Sequence, residues 1–111
     1  MSRLRKRDDG AWILPFSGAQ IERVTWEGDS YAILHFAGQA EISMALPERV
    51  EIAGPVREAA FTDEGVLTIA LDDGAVLESR CDPQAENWEV RGPHGLFVVA
   101  VAGADGVAVW E

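Results

Sequence analysis

The sequence predicts an all-β protein, folded as a small antiparallel sandwich or barrel of roughly eight to ten short strands. Three features predict this class. Apolar and polar residues alternate over several short runs, and turns rich in glycine and aspartate separate those runs. No stretch shows the sustained apolar period of about 3.6 residues that marks an amphipathic helix. The length of 111 residues suits a single domain.

The N-terminal end is predicted to contribute little structure. Residues 1–10 are expected to form a disordered, solvated tail, because four of the nine basic residues cluster between positions 3 and 7. A single β domain is expected to span residues 11–111. Its first run, residues 11–16, is apolar but is broken by Pro15, which favours an edge strand or a packed loop.

Three alternating runs between positions 21 and 46 predict consecutive antiparallel strands. The last two are joined by a three-residue loop, which sets Leu34 opposite Ile42 on the buried face. The same register places His35 opposite Glu41 on the outer face. Both pairs follow from the period of two that strand side chains obey.

A second hairpin is predicted at residues 66–80. Its three-residue loop ends in Gly74, which fits a type I turn closed by a left-handed glycine and a bulge. In that register Ile69 lies opposite Leu77 on the buried side. A shift of 35 residues superimposes this hairpin on the preceding one, which either a duplication or a shared hairpin pattern explains.

Residues 47–61 form the least regular segment. Val50 and Ile52 alternate with Glu51 as they would in a strand. Residues 56–61 fit either one helical turn or a strand, and we favour the strand.

The C-terminal region is predicted to build the centre of the fold. Residues 96–102 are apolar at every position, so we expect a central strand that is covered on both faces. Trp88 and Trp110 lie on the flanking runs and are expected to fill much of the core.

The charge distribution limits the classes of partner. The net charge is −10, and residues 8–111 hold all nineteen acidic residues but only five arginines, which gives that part −14. Such a surface repels phosphate backbones, which argues against nucleic-acid binding by the folded body. No apolar run reaches the roughly 18 residues of a membrane span. Because Cys81 is the only cysteine, it forms no internal disulfide, and a cytoplasmic location is the default expectation.

Two acidic pairs are the candidate partner-binding residues: Asp63 with Glu64, and Asp72 with Asp73. Each pair lies in a turn, and turn preference alone explains aspartate there. The turns lie at opposite ends of one six-residue strand, roughly 20 Å apart, so the pairs do not share a metal ion. Few basic residues are available to neutralise them, and we therefore expect them to meet a basic protein.

No arrangement of residues predicts catalysis, a metal site or a cofactor. Cys81, His35 and His94 are of the right type for nucleophilic chemistry, but nothing in the sequence brings them together. By strand alternation Cys81 faces inward, where a thiol is inert. The pair of His35 and Glu41 resembles an acid/base arrangement, although a cross-strand surface pair is the commoner origin of that pattern. Two distant histidines and one cysteine do not form a zinc pattern.

The C-terminal half carries motifs of a known kind. They are the hairpin of residues 65–74, the turn Asp82-Pro83, the run Trp-Glu-Val-Arg-Gly-Pro-His-Gly at 88–95, and the glycine turn before Ala-Val-Trp at 106–110. With these motifs the chain resembles a family of small actinobacterial proteins classed as a domain of unknown function. The resemblance implies no catalytic residues. Members of that family look like the small proteins that accompany secreted toxins as immunity partners.

Three functions remain open from the sequence. The leading hypothesis is a non-enzymatic module whose acidic surface binds a basic protein, such as a toxin that it neutralises. The second is a small-ligand-binding β-barrel with a tryptophan-lined pocket. The third is an enzyme that uses His35, Glu41 or Cys81. A homodimer is a further option, because an apolar face of the sheet could be covered by a second copy.

Overall fold

The computed structural model describes residues 4–80, 88–100 and 107–111, and these form eleven β-strands. No α-helix is present in this part of the chain, and two short 3₁₀ turns lie at Ala37–Gln39 and Pro93–Gly95. The all-β prediction is confirmed, with slightly more strands than predicted. The strands are β1 Arg5–Lys6, β2 Trp12–Ile13, β3 Arg23–Glu27, β4 Tyr31–His35, β5 Glu41–Ala45, β6 Val56–Phe61, β7 Val66–Leu71, β8 Val76–Arg80, β9 Glu89–Arg91, β10 Phe97–Ala100 and β11 Val107–Trp110.

The strands form two antiparallel sheets that pack as a sandwich, which is the first of the two predicted architectures. The five-stranded sheet has the order β1-β2-β6-β7-β8, and the six-stranded sheet has the order β11-β10-β9-β5-β4-β3. Alternate side chains of both sheets point into one shared core. Its largest fully buried side chains are Trp88, Phe16, Leu14, Leu34, Ile42, Met44, Leu67, Ile69, Leu71, Val56, Val90 and Val98.

The predicted hairpin registers are confirmed. Leu34 pairs with Ile42 and His35 pairs with Glu41 between β4 and β5. Between β7 and β8 the residue opposite Ile69 is Leu77. These registers were predictable because turn length and alternation are local properties of the sequence.

Residues 47–61 differ in part from the expectation. The strand favoured for the end of this segment is present as β6, but Val50 and Ile52 belong to no strand. A single alternation of three residues is too short a signal to decide between a strand and an extended loop.

Ordered structure begins inside the segment 1–10 that was expected to be a disordered tail. Arg5 and Lys6 form β1, which pairs with β2. Arg7 then donates hydrogen bonds to Glu58 at 2.6 Å and to Asp9 at 2.7 Å. The bonds from Arg7 hold the pKa of Asp9 below its ordinary value. The basic cluster therefore has local acidic partners, which its sequence does not show.

The strand that was predicted to be central, β10, is neither at the centre of its sheet nor buried on both faces. β10 is second from the sheet edge, and its burial alternates, with Val98 fully buried and Val99 only half-buried. Trp88 fills the core as predicted, but Trp110 is 55% exposed. Because residues 96–102 are apolar at every position, the sequence does not show which face of the strand points away from the core. Residues 101 and 102, the end of the predicted strand, lie outside the described ranges.

Candidate functional site

The four predicted partner-binding acids all lie in exposed turns at the two ends of β7, but they are not equivalent. Asp63 accepts a hydrogen bond from Trp12 Nε1 at 2.9 Å and lies 3.8 Å from Lys6 Nζ. Asp73 accepts the backbone N–H of Ala75 at 2.9 Å within its turn. Both side chains therefore stabilise the fold locally.

Glu64 and Asp72 are the other two turn acids. Neither makes an ion pair with a basic group in residues 4–80, 88–100 and 107–111. They share this property with several further acidic residues spread over exposed loops and strand ends, namely Asp8, Glu22, Glu27, Asp29, Glu48, Glu51 and Asp73. Of the eight lysine and arginine side chains in the same part, four contact carboxylates, namely Lys6, Arg7, Arg80 and Arg91, and the other four form no ion pair there. Much of the negative charge is thus left uncompensated at the surface.

The outer face of the six-stranded sheet carries a second cluster. Cross-strand pairing sets one residue from each strand in a single row across the sheet, in the order Arg23, His35, Glu41, Arg91, Phe97 and Trp110. The first four are charged or titratable, and the last two are aromatic rings with centroids 5.5 Å apart. Of this row, only the pair of His35 and Glu41, next to the hairpin turn, was predicted. The pairing of β5 with β9 joins residues about fifty positions apart in the chain, for which the sequence holds no local signal.

His35 lies at the centre of the polar half of this row. Its Nε2 is 2.9 Å from Thr25 Oγ1, and its Nδ1 is 3.6 Å from Glu41 Oε2. The order of hydroxyl, imidazole and carboxylate resembles that of a nucleophile, a base and an orienting acid. However, 3.6 Å is too long for the hydrogen bond that would orient the imidazole. Glu41 also lies 4.0 Å from Arg91 Nε, so the group forms a surface charge network.

An open depression of about 610 Å³ adjoins this network. Its walls include Glu22, Arg23, His35, Gln39 and Glu41. Gln39 has a φ of 66°, in the left-handed region that non-glycine residues seldom adopt. The backbone of the loop at residues 37–39 is strained at this position because a side chain larger than that of glycine is crowded at positive φ.

A groove of about 340 Å³ lies where the edges of the two sheets approach each other. On one side of the groove, the apolar lining comes from Leu4, Trp12 of β2 and Phe61 of β6. On the other side it comes from Val107 and Val109 of β11. Lys6 Nζ lies 4.9 Å from the centre of the Trp12 ring. Of the four tryptophans, only Trp12 lines this groove, so the predicted tryptophan-lined pocket is reduced to a single ring.

The remaining candidate chemistry is limited in the described part of the chain. Those residues contain no group of three or more histidine, cysteine or carboxylate side chains that could hold a metal ion. They also contain no helix that is long and apolar enough to cross a membrane. His94 lies in the exposed 3₁₀ turn after β9, far along the chain from His35. Cys81 lies outside the described residues.

Comparison with known proteins gives one match. No curated protein and no solved structure matches the chain. A family model described as a family of unknown function (DUF6188) matches residues 47–111, which is more than half of the chain. This region holds β6 to β11, including both candidate acidic turns and the Trp88 motif. The chain belongs to the DUF6188 family of unknown function.

Proposed function

We propose that this chain is a non-enzymatic protein-binding module whose acidic surface binds a basic protein, as an immunity protein binds the toxin that it neutralises. The observation that carries the proposal is the set of exposed carboxylates without basic partners in the described residues, among which are Glu64 and Asp72. Unpaired like charges destabilise a compact protein through repulsion. A basic partner would relieve that repulsion on binding.

Electrostatic attraction of this kind acts mainly on the association rate. Complementary potentials steer the two proteins together before contact, and dissolved salt screens the attraction over about 10 Å at 0.1 M ionic strength. The bound complex then depends on the residues at its centre. We therefore expect charge changes at Glu64 and Asp72 to slow association and to leave the fold intact, because neither side chain makes a hydrogen bond or an ion pair within the described residues.

The test begins with affinity capture of partners from a native lysate. The association rate of a captured partner is then measured with the parent chain and with a Glu64→Lys/Asp72→Lys variant. A Glu48→Lys/Glu51→Lys variant is the matched control, because it makes the same change in net charge on a different loop. We expect association to slow several-fold in the first variant and in raised salt, and to slow much less in the control.

Two outcomes would contradict the proposal. If salt and both variants leave the rate unchanged, the acidic surface serves solubility alone. If both variants slow association equally, the partner responds to total charge and not to the turns. Binding of polylysine to the same three proteins supplies the reference for purely non-specific attraction, which we expect to depend only on net charge.

The two alternative functions have weaker support. The small-ligand alternative rests on the groove beside Trp12, whose volume of about 340 Å³ is at the lower end for ligand sites. The enzyme alternative rests on the contact of His35 with Thr25 and Glu41. A Glu41→Gln variant separates it from the leading proposal, because that change would abolish a catalytic relay and would leave binding through the acidic turns intact.

A further inference from the structure

The free edges of the two sheets are protected unequally. An exposed edge strand can pair with another chain, and proteins prevent this with charged side chains, proline or bulges. Three of the four edges follow that rule: β1 consists of Arg5 and Lys6, β3 has charged residues at both ends, and β8 contains Glu78 and Arg80.

The fourth edge, β11, has none of these protections. Its sequence is Val-Ala-Val-Trp, without a charge or a proline. It pairs with β10 in continuous register over all four residues, without a bulge. In the part of the chain that the structure describes, no strand pairs with its other side. β11 therefore presents an unguarded apolar edge.

Apolar side chains are exposed on both faces of this edge. On the outer face, Trp110 is 55% exposed and contacts the ring of Phe97. On the inner face, Val109 is 39% exposed and, with Val107, borders the groove beside Trp12. A strand added to β11 would cover Trp110 and would place its own inward side chains at that groove.

We propose that β11 pairs with β11 of a second copy of this chain, antiparallel across a two-fold axis, so that the two six-stranded sheets become continuous. A second copy fits because identical antiparallel strands are self-complementary. It also fits because of charge. Each copy carries a net charge of −10, so two copies approach best along an uncharged strand such as β11, although Asp63 and Glu111 line the groove beside it.

Side-chain size selects a register for this pairing. Residues that face each other across antiparallel strands point to the same face of the sheet, so the two-fold axis lies midway between the strands, where a residue faces its own copy. An axis at Val109 places the large Trp110 of each copy opposite the small Ala108 of the other. The outer row of Phe97 and Trp110 then continues into Ala108 and Val99 of the second copy.

The same register keeps the nearest acids apart. Glu111 of each copy lies opposite Val107 of the other, so the two Glu111 residues are separated by four strand positions, about 13 Å. This exceeds the screening distance of about 10 Å at 0.1 M salt. Salt therefore weakens the repulsion between copies. The dimer becomes stronger in salt, which is the opposite of the dependence expected for binding to a basic partner.

The test is sedimentation velocity of the full chain over a range of protein concentration, at low and high salt. This register pairs residues 107–111 of one copy with the same residues of the other, which is a small interface, and we expect a weak dimer that forms at high concentration. The mass should rise from 12.0 kDa towards twice that value, and more so in high salt. Trp110→Lys should weaken association at least tenfold. Val76→Lys is the matched control, because Val76 is 57% exposed on the edge strand of the other sheet, and it should leave association unchanged.

Hydrogen exchange of the parent chain gives a second measurement that needs no variant. The amides of residues 107–110 that point away from β10 should become protected as the concentration rises, and those at the free edges of β3 and β8 should not. The proposal is overturned if the parent chain stays monomeric at about 1 mM in high salt, well above the range of a weak dimer. It is also overturned if both variants behave alike, or if protection appears at another edge. Protection of residues 107–110 only after a captured protein is added would assign the edge to that partner.

Discussion

Replacing Trp88 with phenylalanine tests how the C-terminal motif holds the two sheets together. Trp88 is fully buried and immediately precedes β9 of the six-stranded sheet. Its Nε1 donates a hydrogen bond of 2.8 Å to the carbonyl oxygen of Gly65, which lies in the turn between β6 and β7 of the other sheet. Its ring also packs against Phe61, with centroids 5.8 Å apart. One side chain therefore joins the two sheets through a hydrogen bond and an aromatic contact.

The expected loss of stability has two parts. Phenylalanine leaves the buried carbonyl of Gly65 without its donor, which costs about 1–3 kcal/mol. The smaller ring removes apolar burial and leaves a small cavity, which costs about 1–2 kcal/mol more. The free energy of unfolding should thus fall by roughly 3 kcal/mol, out of a total of about 5–15 kcal/mol for a domain.

Urea unfolding followed by circular dichroism measures this change as a lower midpoint with an unchanged slope. The matched control is Trp110→Phe, the same substitution at an exposed tryptophan, for which we expect a change within about 0.5 kcal/mol. Equal effects of the two substitutions would refute the view that Trp88 joins the sheets. A large effect with a changed slope would instead show that the transition is no longer two-state.

Two further predictions concern single positions. Gln39→Gly should raise the free energy of unfolding by up to about 1 kcal/mol, because glycine relieves the left-handed strain at φ 66°. Gly74→Ala, at φ 94°, should lower the free energy of unfolding by about 1–2 kcal/mol. Thermal melting of both variants shows whether the two changes have these opposite signs. Val98→Asp should prevent folding, because it buries an unpaired charge. Val99→Asp, on the half-buried outer face, should yield soluble protein that unfolds cooperatively. Loss of folding in both variants would mean that a further layer covers the outer face.

Local features of the fold were predictable from the sequence, and long-range ones were not. Turn residues and alternation act within about ten positions, so the hairpin registers of β4 with β5 and of β7 with β8 followed directly. The pairing of β5 with β9, and of β2 with β6, depends on how the finished hairpins pack, for which no local signal exists. The contact of Arg7 with Glu58 is of the same kind, and it explains why order begins inside the basic N-terminal segment.

The candidate site shows the same division. That the acids would lie in turns followed from their residue types. The hydrogen bond from Trp12 to Asp63 was not predictable from residue types, because the two residues are 51 positions apart in the chain. The error at residues 96–102 has a related cause. A uniformly apolar run predicts burial on both faces, but in β10 the outward side chains of Phe97 and Val99 are only half-buried by the part of the chain that the structure describes.

The shift of 35 residues that relates the two hairpins has a structural counterpart in the sandwich. Under this shift Tyr31–His35 coincides with the first five residues of β7, and Glu41–Ala45 coincides with Val76–Arg80. The loop-closing hydrogen bonds correspond as well, since Phe36 N–H to Ala40 and Leu71 N–H to Ala75 both measure 2.9 Å.

Each sheet is thus built on one three-stranded meander, β3-β4-β5 in one and β6-β7-β8 in the other. The position of Gln39 corresponds to that of Gly74, and both have positive φ. The two loops differ one position earlier, where Gly38 has a positive φ and Asp73 does not. At the shared position, only glycine adopts the positive φ without strain. A loop with no specific role would gain stability by a change to glycine there. The glutamine, which borders the depression beside His35, is for that reason the first position of this loop at which to look for a contact with a partner.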